Sequence, residues 1–322
     1  MSRLEAIGHP DRALLSRPYL AAGCRLCFPG LKAVVFVTGM CDDGCYYCPV
    51  SRDRLGSDVM YVNEEPVSSV DEIVLEVARS GARGASITGG DPLTVPGRTL
   101  EVIRALKESF GPGFHIHLYT SGRYATARLL RELDRAGLDE IRFHPTVPRL
   151  VEKVGLARRI TSMSVGVEIP VGPGLVGWAK KIILEADRLG AEFVNLNELE
   201  FVEPNARALL ARGLRESKKR PFTVEGALEV AIEIVTWARR NVRVPVHFCP
   251  ASFKDSIQTR NRLRRLAELD ARWCEKPTSY GTIVWASSGS ECVHPSMARP
   301  GQSLVEAYPT RSRRPVIATR TA

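Results

Sequence analysis

Cys41, Cys45 and Cys48 stand at C-x3-C-x2-C spacing. Three thiolates so spaced can wrap one face of a cuboidal iron–sulfur cluster and leave one iron without a protein ligand. Soft sulfur donors select iron–sulfur clusters and zinc. Gly44 permits the tight loop this needs, and Tyr47, just before the third cysteine, could shield a cluster and pack on a ligand. The competing reading is a zinc knuckle made of these thiols and a distant ligand. A second set begins with Cys24-x2-Cys27, also a metal-ligand spacing. With Cys249 and Cys274 it could hold a second iron–sulfur cluster or a structural zinc, stapling the N-terminal extension to the C-terminal segment. The alternatives for that set are a redox pair, or buried free thiols acting as small hydrophobes.

These residues need elements to position them. Short β-type runs alternate with helical patterns: strands at 31–38, 85–90, 114–122, 139–145, 161–170 and 191–201, and helices at 70–80, 98–110, 125–137 and 175–190. Repeated βα units imply parallel strands with right-handed crossovers. Six of them suit a partial barrel or an open doubly wound sheet, and in both the ligands gather where the strands end. The cysteine loop follows the first strand, and Gly89-Gly90-Asp91-Pro92 follows the second. Ser121-Gly122 follows the third, His144 the fourth, Glu168 lies near the end of the fifth, and Asn195, Asn197, Glu198 and Glu200 end the sixth. Period-2 alternation sets Asn195 and Asn197 on one face and Glu198 and Glu200 on the other. So many amides and acids in one strand are costly unless they bind something or meet water. His115 and His117 share a strand face and read as half-buried strand residues, and a lone rim histidine such as His144 is more often structural than functional.

Beyond residue 201 the pattern changes. Residues 205–220 hold six basic residues and one acid, 222–241 reads as a long helix followed by a short strand VPVHF, and 252–269 reads as a basic helix. One or two small strands fall at 280–289, and the tail from Met297 is Pro- and Arg-rich and expected to be loosely held. The expected organisation is an N-terminal extension at 1–30, a core at 31–201 and a C-terminal segment at 202–322.

The chain's 322 residues, 44% hydrophobic and 25% charged, are enough to bury a substantial core, which excludes a disordered or collagen-like chain. No run approaches a membrane span, and the N-terminal dozen residues lack a signal-peptide core, so the expected compartment is the reducing cytoplasm, where clustered cysteines read as ligands before disulfides. The net charge is +9, of which +7 falls in residues 162–322. That half, with basic stretches at 207–220 and 254–265, suits an anionic partner such as RNA.

The chain resembles the radical S-adenosylmethionine (SAM) superfamily. The resemblance rests on C-x3-C-x-aromatic-C after the first strand and on the Gly-Gly-Asp-Pro turn after the second. Within it, the small core and short cluster loop resemble the activating-enzyme branch typified by the pyruvate formate-lyase activating enzyme. Gly23-Cys24-x-x-Cys27, the 194–201 segment and Cys249-x3-Phe253-Lys254-Asp255-x2-Gln258 are similar to uncharacterised archaeal proteins related to that enzyme.

The resemblance implies a partial (β/α)6 TIM-like barrel over 31–201, with an N-terminal extension and a basic α+β C-terminal segment. It implies a [4Fe-4S] cluster on Cys41, Cys45 and Cys48 whose open iron chelates SAM. It also implies reductive cleavage to a 5′-deoxyadenosyl radical that abstracts a substrate hydrogen, and a one-electron reductant such as a ferredoxin or flavodoxin. Gly89, Gly90, Asp91 and Pro92 are expected at the methionine ammonium, Asp91 standing where glutamate is commoner. Ser121 and Glu168 are expected at the SAM carboxylate and ribose, and Asn195 and Asn197 at SAM or substrate. RNA is slightly preferred as substrate. The alternatives are protein or peptide modification including glycyl-radical activation, a small molecule, or a non-catalytic iron–sulfur or zinc protein that binds nucleic acid.

Overall fold

The computed structural model describes residues 5–7, 13–288, 291–299, 302–312 and 315–320, so most of the segment read for a signal peptide lies outside the described residues. All six expected strands form, as β1 (Lys32–Phe36), β2 (Gly84–Thr88), β3 (His115–Thr120), β4 (Glu140–Phe143), β5 (Ser164–Val171) and β6 (Phe193–Glu198). They lie side by side in chain order, each parallel to the next. Helices Val70–Arg79, Pro96–Phe110, Ala127–Ala136 and Val176–Arg188 make crossovers, with Glu152–Ile160 between β4 and β5. Ser69 and Thr126 cap two of them by accepting from Glu72 N and Leu129 N. Gly137 ends one at φ +97°, a conformation glycine adopts without strain.

The structure corrects one boundary. The short strand beyond the expected core, β7 (Val246–Cys249), is a seventh parallel strand paired with β6. The helix before it, Ala227–Asn241, completes a further αβ unit. The basic, irregular stretch after β6 interrupted the repeat in the sequence, but the sheet continues past it. The sheet does not close: its edges are antiparallel, with the hairpin Met60–Val62 and Glu65–Val67 beside β1 and the strand Ala13–Leu15 beside β7.

Alternation along the strands separates two environments. Val35, Ile87, Leu118, Ile141, Val167, Leu196 and Phe248 belong to one apolar core cluster shared with the crossover helices. Residues of opposite parity, among them Ser86, Tyr119, Arg142, Glu168, Asn195 and His247, line a cavity of about 320 Å³ in the lumen. Burying about 1.5–3 kcal/mol of hydrophobic side chain at each core position stabilises this frame, so the polar inner wall is carried by the layer outside it.

The first helix, Ala22–Cys27, lies against the strand starts: Gly23 N donates to Glu140 Oε2 at 3.3 Å, and Leu26 approaches Gly84. Its C-terminal end meets the late segment of the chain. Phe28 and Phe253 place their rings 5.7 Å apart, and Asn261 Nδ2 donates to Phe28 O at 2.8 Å. The expected 252–269 helix is split into Ala251–Phe253, a π-helical turn Lys254–Thr259 and Arg260–Asp270. Together these segments cover the side left open between β1 and β7.

The tail expected to be loose supplies Ser303–Ala307 and Pro315–Arg320 to a second, antiparallel sheet with Ile283–Ser288. Among the described residues no helix is long and apolar enough to cross a membrane.

Candidate active site

The loop after β1 carries Cys41, Cys45 and Cys48, all free and half-buried. Cys48 N donates to Cys45 O at 3.1 Å, and Gly44 takes φ +57° between them. Burial raises the Cys45 thiol to about 11, against a smaller opposing effect from the Tyr47 hydroxyl. A metal must therefore displace its proton.

The stem of this loop is zipped to the turn after β2. Gly90 N donates to Thr38 O and Asp91 N to Met40 O, both at 2.8 Å. A Cβ at Gly90 would lie 2.2 Å from Met40 O, and one at Gly89 2.2 Å from Thr38 O. Both positions require glycine so that the two strand ends can touch. The glycines set where the cysteine loop sits.

Asp91 departs from the expected role at a ligand ammonium. Its carboxylate is buried and turned into the protein, where it accepts from Leu93 N (3.0 Å), Thr120 Oγ1 (2.9 Å), Ser121 N (3.0 Å) and Ser121 Oγ (2.8 Å). With four donors on two oxygens it has no free side facing the rim. Asp91 therefore ties the ends of β2 and β3 together, Ser121 is one of its donors, and Pro92 opens a buried 3₁₀ turn that Asp91 caps.

Tyr47 reaches His144 on the rim, its hydroxyl 2.9 Å from Nε2. His144 Nδ1 lies 2.8 Å from the Glu168 carbonyl. A carbonyl only accepts, so Nδ1 carries the proton and Nε2 accepts from Tyr47. Burial lowers the His144 pKa and keeps the ring neutral, as this requires. Asn205 Nδ2 adds a bond to Tyr47 O at 3.0 Å. Tyr47 thus latches the cysteine loop onto the ends of β4 and β5.

Below the rim the expected Glu168, Asn195 and Asn197 converge. Asn197 Nδ2 donates to Glu168 Oε1 at 2.7 Å, and Asn195 Nδ2 to Oε2 at 3.1 Å. Arg142, which the sequence reading passed over, donates to Oε2 at 2.9 Å and to Glu140 Oε1 at 2.5 Å. Burial pushes the Glu168 carboxyl up, but Arg142 and the two amides outweigh it and bring it to about 2. The lumen therefore holds a fixed carboxylate, which costs little only because it is paired. A second charge two residues after Glu140, between Ile141 and Phe143 in a short buried strand, was the signal for Arg142.

Asp43 was also missed. Its carboxylate takes Arg123 Nη2 and Thr146 Oγ1, each at 2.7 Å, and pins the cysteine loop to two neighbouring strand ends. His247 Nδ1 donates to Asn195 Oδ1 at 3.1 Å, and burial lowers its pKa to about 4. His115 and His117 share a face as expected, with His117 fully buried and their rings 5.5 Å apart.

The second cysteine set is partly reassigned. Cys274 is joined to Cys292 in a disulfide and is not a ligand candidate. Ile283–Ser288 pairs antiparallel with Glu291–Val293, and this fold-back brings the two together. Cys24, Cys27 and Cys249 remain free and line the lumen cavity beside Lys254 and Gln258. The Asp255 side chain of the same stretch lies outside the described residues.

The donor set above the rim fits an iron–sulfur cluster: three free thiols on one glycine-turned loop, docked at three points over a polar lumen. The family model described as Radical SAM superfamily matches residues 35–154. A Methanocaldococcus jannaschii protein, named as a candidate glycyl-radical enzyme activating enzyme, is 36% identical over 276 residues, which span 82% of this chain and 72% of the relative. Among solved structures, Streptococcus suis SuiB bound to its precursor peptide SuiA superposes with a TM-score of 0.49 at 9% identity, over 68% of this chain and 48% of that one. Escherichia coli coproporphyrinogen III oxidase (HemN), a radical SAM enzyme, gives 0.42 at 13%, over 62% and 50%. The chain spans about half the length of these two, and at those identities they say nothing about its substrate.

Proposed function

The chain belongs to the radical SAM superfamily, and from that premise we propose that it is an activating-type enzyme that takes a hydrogen atom from a protein or peptide. The observation that carries the enzyme reading is the loop of Cys41, Cys45 and Cys48 latched by Tyr47 and His144 above a polar lumen. When bound, the [4Fe-4S] cluster supplies the electron that cleaves SAM and so initiates hydrogen abstraction. The three cysteines hold that cluster. Gly89 and Gly90 set its depth, and Asp91 with Ser121 stiffens the turn beside it. Glu168, Asn195 and Asn197 offer acceptors and amides below the rim for polar groups of SAM or substrate. The electron comes from a one-electron carrier such as a ferredoxin or flavodoxin.

The protein reading draws support from the name of the 36%-identical relative. RNA, slightly preferred on charge, loses part of its support because several cations of the basic stretches are already paired within the protein, although Arg215, Lys218, Lys219 and Arg260 stay exposed. Lys254 pairs with Glu200, Arg262 with Glu64, Arg264 with Glu268 and Arg220 with Glu198, while Arg212 lies over the Tyr46 ring. Cations already paired release few counterions to a phosphate backbone.

The test is 5′-deoxyadenosine formation by the reduced, cluster-loaded protein with SAM, with a protein fraction or an RNA fraction added. Stimulation by the protein fraction, lost on protease treatment, is expected. Stimulation by RNA alone, lost on nuclease treatment, overturns the substrate reading, and no product from loaded protein overturns the enzyme reading.

Tyr47→Phe tests the latch. It deletes one buried hydrogen bond, worth about 1 kcal/mol, and leaves His144 Nε2 without a donor. Iron should be stripped by a chelator several-fold faster than from the wild type while the melting temperature changes little. Equal stripping rates would remove the latch role.

A further inference from the structure

The cysteine loop uses three of the six free thiols, and the other three reach one cavity from distant parts of the chain. Cys24 and Cys27 stand three residues apart on the helix Ala22–Cys27, so both can face the lumen from its floor. Cys249 is the last residue of β7 and enters from the side. The Phe28–Phe253 contact and the Asn261 bond to Phe28 O hold these segments together.

Free cysteines that serve only as packing sit among apolar neighbours. Cys249 packs on Phe253 and Ile257, but all three thiols also share their cavity with Arg142, Glu168, Asn195 and Lys254. Nitrogen donors also point at the sulfurs. Arg142 Nη2 lies 3.3 Å and Asn195 Nδ2 3.4 Å from Cys24 Sγ, and Gln258 Nε2 lies 3.8 Å from Cys249 Sγ. Donors on sulfur stabilise thiolates and tune the clusters they hold. The cavity of about 320 Å³ is roughly ten times the ~30 Å³ share of one water, far more than a lone tetrahedral zinc needs. Cys292 and Cys274 are consumed by their disulfide, so all eight cysteines are accounted for and no fourth thiol remains.

We propose that Cys24, Cys27 and Cys249 hold a second four-iron cluster inside the barrel lumen, with one iron open to the cavity. The inference rests on the lumen geometry and not on the choice of protein as substrate.

Iron and acid-labile sulfide are measured on the full chain after anaerobic reconstitution. About eight irons per chain are expected from the wild type, and about four from Cys41→Ala/Cys45→Ala/Cys48→Ala with sulfide and cluster absorption retained. Cys24→Ala/Cys27→Ala/Cys249→Ala should also hold about four, now all on the rim loop. Wild-type protein saturating at about four irons overturns the proposal and leaves the rim cluster standing. A rim-loop triple variant that takes up zinc and no iron overturns it as well. Should the lumen variant not fold, the wild-type count and the rim-loop variant decide alone.

Discussion

Cys45→Ala is expected to leave a folded chain that forms no 5′-deoxyadenosine above background, a loss of roughly 10³-fold or more, equivalent to at least about 4 kcal/mol of transition-state stabilisation. The thiol is half-buried on a loop and belongs to none of the apolar clusters, so the cost in stability should stay within about 0.5 kcal/mol. The loss of activity comes from ligation. Two thiolates cannot seat a cube that three were spaced to hold, and nothing else described on the loop offers a thiolate. The check pairs the product assay with the melting temperature. Full activity in a folded variant without a rim cluster would end the central reading, and an unfolded variant would show that the loop stabilises the barrel more than its exposure suggests. Iron content separates the two centres: loss of about half of it is expected if the lumen cluster is present, and loss of nearly all if it is not.

Arg142→Met should carry the largest cost in stability, about 3–5 kcal/mol at neutral pH. The guanidinium is 2% exposed and bridges Glu140 and Glu168, both also buried. Removing it strands two buried carboxylates, and at Glu168 burial already pushes toward protonation. The pH dependence follows from Glu168. In the wild type its pKa is brought from 4.5 to about 2, so its contribution to stability is complete above 4.5 and is lost as pH falls toward 2. Without Arg142 only the two amides oppose burial, and the pKa is expected to rise above its unfolded value. Stability is then greatest in acid and declines as pH rises through the new value. The gap between wild type and variant, measured by urea unfolding of the metal-free proteins, should therefore be smaller at pH 5 than at pH 7. Arg142→Met/Glu168→Gln should recover part of the loss. A single-variant loss below about 1 kcal/mol would mean that water reaches the lumen and screens the pair.

The strands that build the barrel were legible because each is an apolar run ending in a glycine, a proline or a polar cluster. β7 was visible as a strand, but the basic stretch before it hid that it joins the same sheet. The rim loop was legible from thiol spacing, which is set by the chain itself. Glu168, Asn195 and Asn197 were legible from alternation in β5 and β6. Asp91 was misjudged because its partners come from another strand end, Thr120 and Ser121, and no local pattern announces donors from there. Arg142 escaped because it lies within its strand and not at the strand's end, where polar groups mark a rim, although its own counter-charges imply it. Cys274 was placed at a metal site because spacing cannot distinguish a strand that folds back to Cys292 from one that continues toward the lumen.

The strand Ala13–Leu15 pairs with β7, and Val246 N donates to Ser16 Oγ across 230 residues of sequence. On the ribosome, the earliest piece of the sheet edge must therefore wait for nearly the whole barrel to be made before it finds its partner. Pairings of such long range are the slow ones. Until then the side between β1 and β7 stands open, and neither the floor helix nor the π-helical turn has its final neighbour. The nascent barrel thus stays open to an inorganic group until residues 250–262 emerge and dock, and loading the complete chain requires that segment to lift from the helix Ala22–Cys27 again.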